Sequence, residues 1–243
     1  MTKDATNRAA WPRPLWLGIA AAAVAAAGFS LMQAPSAAQE KPVIIPPPSA
    51  ELTEAGSSAT IVLAGGCFWG VQGVFQRLEG VTSAVSGYAG GDAATAKYEL
   101  VGTGMTGHAE AVEVVYDPSV ISMGELLHVF FSVAHNPTQL NYQGPDRGPQ
   151  YRTAIFFDSE EEKAFAESYI AQLDAAGVYP APIVTTLEPL QAFYPAEDYH
   201  QDFLTLNPTW PYIVHHDLPK IEALAAIFPE IYREDPILVS EVR

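Results

Sequence analysis

The only cysteine of the 243-residue chain lies in "GGCFWG", residues 65–70. A cysteine acts as a nucleophile through its thiolate, and a free thiol ionises near pH ~8.5. The flanking residues set the chemistry this one could do. "TIVLA", residues 60–64, is β-branched and apolar and reads as a buried strand. Val71, Val74, Phe75 and Leu78 then recur at helical spacing, with Gly80 as a helix stop. Cys67 therefore falls at the first turn of a helix, where unpaired N–H groups and the helix dipole favour a thiolate. Gly65 and Gly66 let the backbone turn sharply and let a substrate approach. Phe68 and Trp69 put an apolar wall beside the sulfur. The same spacing also suits a buried structural cysteine between core aromatics, and on spacing alone both remain open.

An acid or base partner has to come from elsewhere. "TGHAEAVEV" places Glu110 at the start of an apolar strand, where desolvation would hold a carboxyl protonated and able to donate to an oxygen. A solvated strand-end glutamate fits the same pattern. Tyr88, Tyr98 and Tyr151 lie near loop ends, where a hydroxyl binds an oxyanion or simply packs half-buried. None of His108, His128, His135, His200, His215 and His216 has a diagnostic relation to Cys67. No His-x-x-x-His or Cys-x-x-Cys metal spacing occurs, and "GGCFWG" lacks the Lys-Ser/Thr of a phosphate loop.

The elements that must position these residues alternate along the chain. "HAEAVEVVYDP", residues 108–118, reads as a strand. Ser122 and Glu125 form a capping box ahead of "LLHVFFSVA". Residues 135–150 are a loop dense in Pro, Gly, Asn and Asp, and 151–157 a strand. Asp158 and Glu161 flank the start of a helix running to Gly177. Residues 182–189 form another strand, "AEDYHQDFL" a short helix and Pro219 to Phe228 the last one. This alternation predicts an α/β or α+β layer structure, a compact two-layer sandwich at this length.

The net charge of −16 and absence of a basic patch exclude nucleic acid as a partner. The start of the chain differs. Lys3, Arg8 and Arg13 stand against Asp4 alone, and "LWLGIAAAAVAAAGFSLM", residues 15–32, carries no charge. Residues 1–38 read as a signal peptide, with cleavage after Ala38, or as a membrane anchor. The protein is thus expected to be exported, periplasmic or attached to the membrane through residues 15–32. Residues 39–59 are Pro- and Ser-rich and read as an extended tether, with the folded domain over 60–243. One cysteine allows no internal disulfide. A monomer is the expected state.

In its folded part the chain resembles the A-type peptide methionine sulfoxide reductases, over roughly residues 60–230. The resemblance rests on "GGCFWG", then in order on "GYAGG" at 87–91, "TGHAEAVEVVYDP" at 106–118, "PTQLNYQGPDRGPQYRTAIFF" at 137–157 and "FYPAEDYHQDF" at 193–203. It implies an α+β, two-layer α/β sandwich with a ferredoxin-like core, and reduction of the S epimer of methionine sulfoxide, free or within proteins. It implies Cys67 as nucleophile, Phe68 and Trp69 as the S-methyl pocket, and Glu110 as the acid that protonates the sulfoxide oxygen. Tyr98 and Tyr151 match the tyrosines that bind that oxygen, and Asp146 matches the aspartate of the loop before "QYR". No cofactor or metal is implied.

Three departures from the family pattern stand out. No second, resolving cysteine is present, so an outside thiol, a thioredoxin- or glutaredoxin-like protein or a small thiol, must reduce the oxidised Cys67. Asn136 stands in "HNP" where the family commonly has aspartate, and Pro145 precedes Asp146 in "QGPD". The export segment would place the enzyme where reductant is scarce. Two other functions compete: a thiol peroxidase using Cys67, and a non-catalytic methionine-binding module. The second needs neither a nucleophile nor an acid.

Overall fold

The computed structural model describes residues 41–54 and 56–242. The expected signal or anchor, residues 1–38, lies outside the described residues. Within them, no helix is long and apolar enough to cross a membrane.

The chain opens with strand β1 (Ala59–Gly65) and helix α1 (Phe68–Phe75), followed by β2 (Val81–Ala89), α2 (Tyr98–Val101) and β3 (Ala109–Tyr116). Next come α3 (Met123–Val129), extended by a π turn over Phe130–Ala134, the short pair β4 (Tyr142–Gln143) and β5 (Asp146–Arg147), and β6 (Thr153–Phe157). Helix α4 (Glu160–Ala176), β7 (Thr186–Pro189), β8 (Phe193–Pro195), α5 (Phe203–Leu206) and α6 (Leu218–Ile227) follow. The main sheet has the order β7-β6-β1-β3-β2-β8. Its central four strands, β6-β1-β3-β2, are antiparallel throughout, while β7 joins β6 in parallel. Strand, helix, two strands, helix, strand in that spatial order is the split β-α-β arrangement of a ferredoxin-like core.

Side chains alternate across the sheet. Glu110, Val112, Val114 and Tyr116 of β3 face the same way as Ile61 and Leu63 of β1 and Tyr88 of β2, and all but Glu110 belong to the large core under the helices. The opposite face is built from small residues, Ala64, Ala89, Ala109, Ala111 and Ala154 with Val62 and Phe156, closed by Leu190 and Phe193. A Cβ on Gly87 would sit 2.3 Å from the Phe193 ring, so only glycine lets that cover lie flat.

Local chemistry accounts for the boundaries. The Ser122–Glu125 capping box starts α3 as the sequence predicts. Helix α4 is capped by Ser159, which accepts from the Glu162 N–H at 3.1 Å, one residue later than expected. It ends at Gly177 in the left-handed region. Strand β6 starts at Thr153, because residues Pro149–Tyr151 form a 3₁₀ turn. Helix α1 ends at Phe75, short of Gly80, which instead turns the chain into β2 at φ 87°. Strand β2 and edge strand β8 are additions to the sequence-based picture. "VTSAVSGYA" is diluted by Ser and Gly, and its pairing with β3 shifts register between Val81 and Ser83, which breaks the period of two.

The expectation of an extended tether over 39–59 is corrected for residues 43–54 only in that they are not separate from the domain. This stretch is extended, but it lies on the domain. Ile45 is buried. The Val43 N–H donates to the Ser132 carbonyl (2.9 Å), the Tyr169 hydroxyl to Pro46 (2.9 Å) and the Gln172 amide to Pro47 (2.8 Å). A proline-rich chain makes no hydrogen bonds with itself, so its carbonyls are open to such donors. Glu54 closes the strap by accepting from the buried Tyr116 hydroxyl and, at 3.1 Å, from the Met123 N–H. Replacing Glu54 by Ala leaves that hydroxyl and that N–H short of an acceptor. Glu54→Ala should cost about 1–3 kcal/mol, read as a lower urea midpoint at unchanged slope; an unchanged midpoint would show that the strap contributes nothing.

Candidate active site

Strand β1 stops at two glycines for steric reasons. Gly66 adopts φ 89°, and a Cβ there would lie 2.4 Å from the Gln143 side chain, which fills that space. The turn delivers Cys67 to the N-cap of α1 (φ −54°, ψ 120°), the residue as a whole being half-buried. No residue within α1 caps its first N–H. Glu110 does so from β3: its carboxyl accepts from the Phe68 N–H at 3.1 Å. The register that pairs Tyr88 with Glu110 aims this side chain under the helices, where the residue is only 3% exposed.

Burial raises the Glu110 carboxyl to about 8; the Phe68 N–H pulls it down and the charge of Asp146 pushes it up further. It is therefore a neutral acid at pH 7. The Cys67 thiol is also pushed well up, by burial first and then by the carboxylates of Glu110, Asp217 and Asp146, with only the Trp69 N–H acting in the other direction. The expectation that the helix N-terminus favours a resting thiolate is thus corrected. Desolvation is the largest cause, and the Trp69 N–H alone opposes it.

Phe68 is fully buried, with its ring 5.9 Å from Tyr88 and 5.1 Å from His200. Trp69 stacks on Phe203 at 3.8 Å and 10°, meets Tyr212 edge-on at 5.9 Å, and donates its indole N–H to His200 Nδ1 at 3.2 Å. Burial lowers the His200 imidazole, which stays neutral and serves as acceptor. Both rings of "CFW" are thus packed against other aromatic side chains.

Tyr98 and Tyr151 reach the same place from α2 and from the turn before β6. Burial is the main cause that raises both hydroxyls, and both lie near enough to Glu110 and Cys67 to be pushed up further when those groups ionise. The Tyr98 ring lies 4.4 Å from His200, and its N–H is held by Glu197 at 3.0 Å. Tyr88 is different. Its hydroxyl is committed to Glu197 at 2.8 Å, so its part is to position Tyr98 through that shared carboxylate. Asp146, on β5, accepts from the Tyr212 hydroxyl, and burial raises its carboxyl against the pull of that bond.

The loop residues that depart from the family pattern have structural explanations. Asn136 Oδ1 accepts from the Thr138 N–H (3.0 Å) and hydroxyl (2.7 Å), a turn that an aspartate would make equally well. Gly144 and Pro145 form the two-residue connection between β4 and β5, with Gly144 at φ 51° and the ring of Pro145 restricting the next position. The loop is pinned onto the site by Gln143, whose amide exchanges hydrogen bonds with the backbone of Asn136 at 3.0 and 2.8 Å.

Several contributors escape a reading of the sequence. His200, Phe203 and Tyr212 back the aromatic wall. Asp217, fully buried, pairs with Lys220 at 3.6 Å directly against α1. A Cβ on Gly70 would fall 2.2 Å from Asp217 Oδ1, so the last glycine of "GGCFWG" is the space this pair occupies. A narrow cleft joins Cys67 to Gln143, Gly144, Pro145, Tyr212, His216 and Lys220. The glycine was the one signal in the sequence for this pair, and it does not name its neighbours.

A desolvated thiol, a neutral carboxyl, two tyrosines and a cluster of aromatic rings on this fold define a cysteine-dependent enzyme that acts on a small group with one polar and one apolar end. Comparison with known proteins makes this specific. Residues 59–230 match the peptide methionine sulfoxide reductase family. The chain is 64% identical to peptide methionine sulfoxide reductase MsrA 2 of Mesorhizobium japonicum, over 75% of this chain and 93% of that protein. It is 51% identical to MsrA 2 of a Synechocystis species, over 70% and 79%. Among solved structures it resembles reduced Mxr1 of Saccharomyces cerevisiae (TM-score 0.58, 33% identity, 69% of this chain and 96% of that one). It also resembles methionine sulfoxide reductase A of Corynebacterium diphtheriae (TM-score 0.56, 34% identity, 72% and 88%). The chain belongs to the peptide methionine sulfoxide reductase family, A type, and is a peptide-methionine (S)-S-oxide reductase.

Holding a neutral carboxyl at the site affects stability. The folded-state value of Glu110, about 8, lies above the ordinary 4.5. Its contribution is therefore full below pH ~4.5 and declines as pH rises towards ~8, by about 1.4 kcal/mol per unit. Glu110→Gln keeps an acceptor for Phe68 and removes this titration. The variant should match the wild type near pH 4 and exceed it by about 3 kcal/mol at pH 7. Parallel stability–pH curves in urea unfolding would rule out a buried neutral Glu110.

Proposed function

We propose that Cys67 attacks the sulfoxide sulfur while Glu110 protonates its oxygen, with Phe68 and Trp69 around the S-methyl group. Tyr98 and Tyr151 hydrogen-bond the oxygen, and Asp146 accepts from the Tyr212 hydroxyl beside the cleft that Tyr212 lines. The observation that carries this reading is the buried Glu110 carboxyl on the first N–H of the helix that Cys67 begins.

The step balances without a cofactor. Attack forms a transient S–S bond while the sulfoxide oxygen takes the Glu110 proton, and both that S–S bond and the S–O bond to methionine break in the next step. The oxygen then passes to Cys67 as hydroxyl and methionine leaves. The sulfoxide sulfur is reduced by two electrons and Cys67 is oxidised to a sulfenic acid. The thiol proton refills Glu110. An external thiol then condenses with the sulfenic acid, releasing water and forming a mixed disulfide, and a second thiol equivalent restores Cys67. With one cysteine in the chain, both equivalents come from outside. A thioredoxin- or glutaredoxin-like protein, or a small thiol, is the proposed reductant, and oxidised methionines of exported proteins are the proposed substrates, on the strength of residues 1–38.

Mixing enzyme with a methionine-(S)-sulfoxide peptide, without reductant, should give about one equivalent of methionine and a dimedone-reactive Cys67. Cys67→Ser should give none. Methionine from the Cys67→Ser variant, or several equivalents without reductant, would refute the assignment.

A further inference from the structure

The described residues contain two methionines outside the chemistry. Met123 is 2% exposed, at the start of α3, whereas Met105 is 86% exposed. Met105 lies between α2, which carries Tyr98, and β3, which carries Glu110. Its neighbours are small, "GTGMTG" over residues 102–107. Gly104 and Gly107 take φ 73° and 80°, and the loop is drawn tight by them. It is tied down at both ends: the Gln150 amide donates to the Gly102 carbonyl at 3.2 Å, and Arg152 donates to Gly107 at 3.1 Å. A thioether is thus presented to solvent on a fixed, unobstructed turn.

We propose that Met105 is an oxidation site of this enzyme and a substrate of it, its sulfoxide in one molecule being reduced by Cys67 of a second copy. Peroxide oxidises the exposed thioether, giving the sulfoxide and water. A second copy then consumes two thiols to return the thioether, one disulfide and one water. Two features support transfer between molecules. With small residues flanking it on both sides, the Met105 side chain can enter the narrow cleft at Cys67. With its loop fastened at both ends, it stays on the outside of its own domain. The inference rests on the reductase reading above.

The test uses full-length Cys67→Ser protein, treated with hydrogen peroxide, as carrier. Cleavage after Glu99 and Glu110 releases residues 100–110, which contain Met105 and not Met123. This peptide should gain one oxygen, and the gain should be absent from a Met105→Leu carrier. Catalytic wild-type enzyme with dithiothreitol should then remove the oxygen from about half of it, since peroxide makes both epimers and the enzyme reduces one. Unoxidised Cys67→Ser protein in place of the wild type should remove none. A wild type that reduces a methionine-(S)-sulfoxide peptide but leaves the Met105 sulfoxide intact would overturn the inference alone. Failure on both would overturn the reductase reading with it. A carrier peptide that peroxide leaves unmodified would also overturn the inference.

Discussion

The contact between the Glu110 carboxyl and the Phe68 N–H, 3.1 Å long and closed to water, fixes the rest of the site. It ties the second central strand, β3, to the first N–H of the helix that carries the nucleophile. A helix of eight residues leaves four N–H groups unpaired at its start. Here one is satisfied by the acid of the reaction rather than by a local Ser, Thr or Asp. One bond therefore caps α1, orients Glu110 and sets the approach between the acid and Cys67.

Much of the surrounding sequence serves to keep that contact dry. Gly66 makes room for Gln143 and Gly70 for the Asp217–Lys220 pair, so side chains seal α1 on two sides. Trp69 is held between Phe203 and His200, which excludes water from the third. Dryness has a cost, since both reactive groups rest in their neutral forms. It also has a use. A neutral thiol beside a neutral acid can pass one proton to the sulfoxide oxygen and recover another without net charge entering the core. A resting thiolate would repel the carboxylates of Asp146 and Asp217.

The sequence disclosed the site unevenly, for physical reasons. Cys67 between glycines and aromatics, and Glu110 at the head of an apolar strand, are visible because local spacing alone places them. The capping box at Ser122 and the stop at Gly177 are visible for the same reason. What escapes is set at long range. Strand β2 hides behind its serines, glycine and bulge, yet it carries the Tyr88 hydroxyl that shares Glu197 with the Tyr98 backbone. Tyr212 finds Asp146 across 66 residues. The helix start favours a thiolate locally, but burial of the site, which local sequence does not show, pushes the Cys67 thiol up. The reading of residues 39–59 as a tether failed where donors on α4 met open proline carbonyls.

The most direct test is the pH dependence of single-turnover methionine formation, in wild type and in Glu110→Gln. If Glu110 is the proton donor, the wild-type rate should hold level to about pH 7 and fall as Glu110 ionises near 8. The variant should be slower by about 10²–10⁴-fold and should not show this fall. A wild-type rate that climbs through pH 8, or a variant that keeps the wild-type rate and profile, would contradict the account.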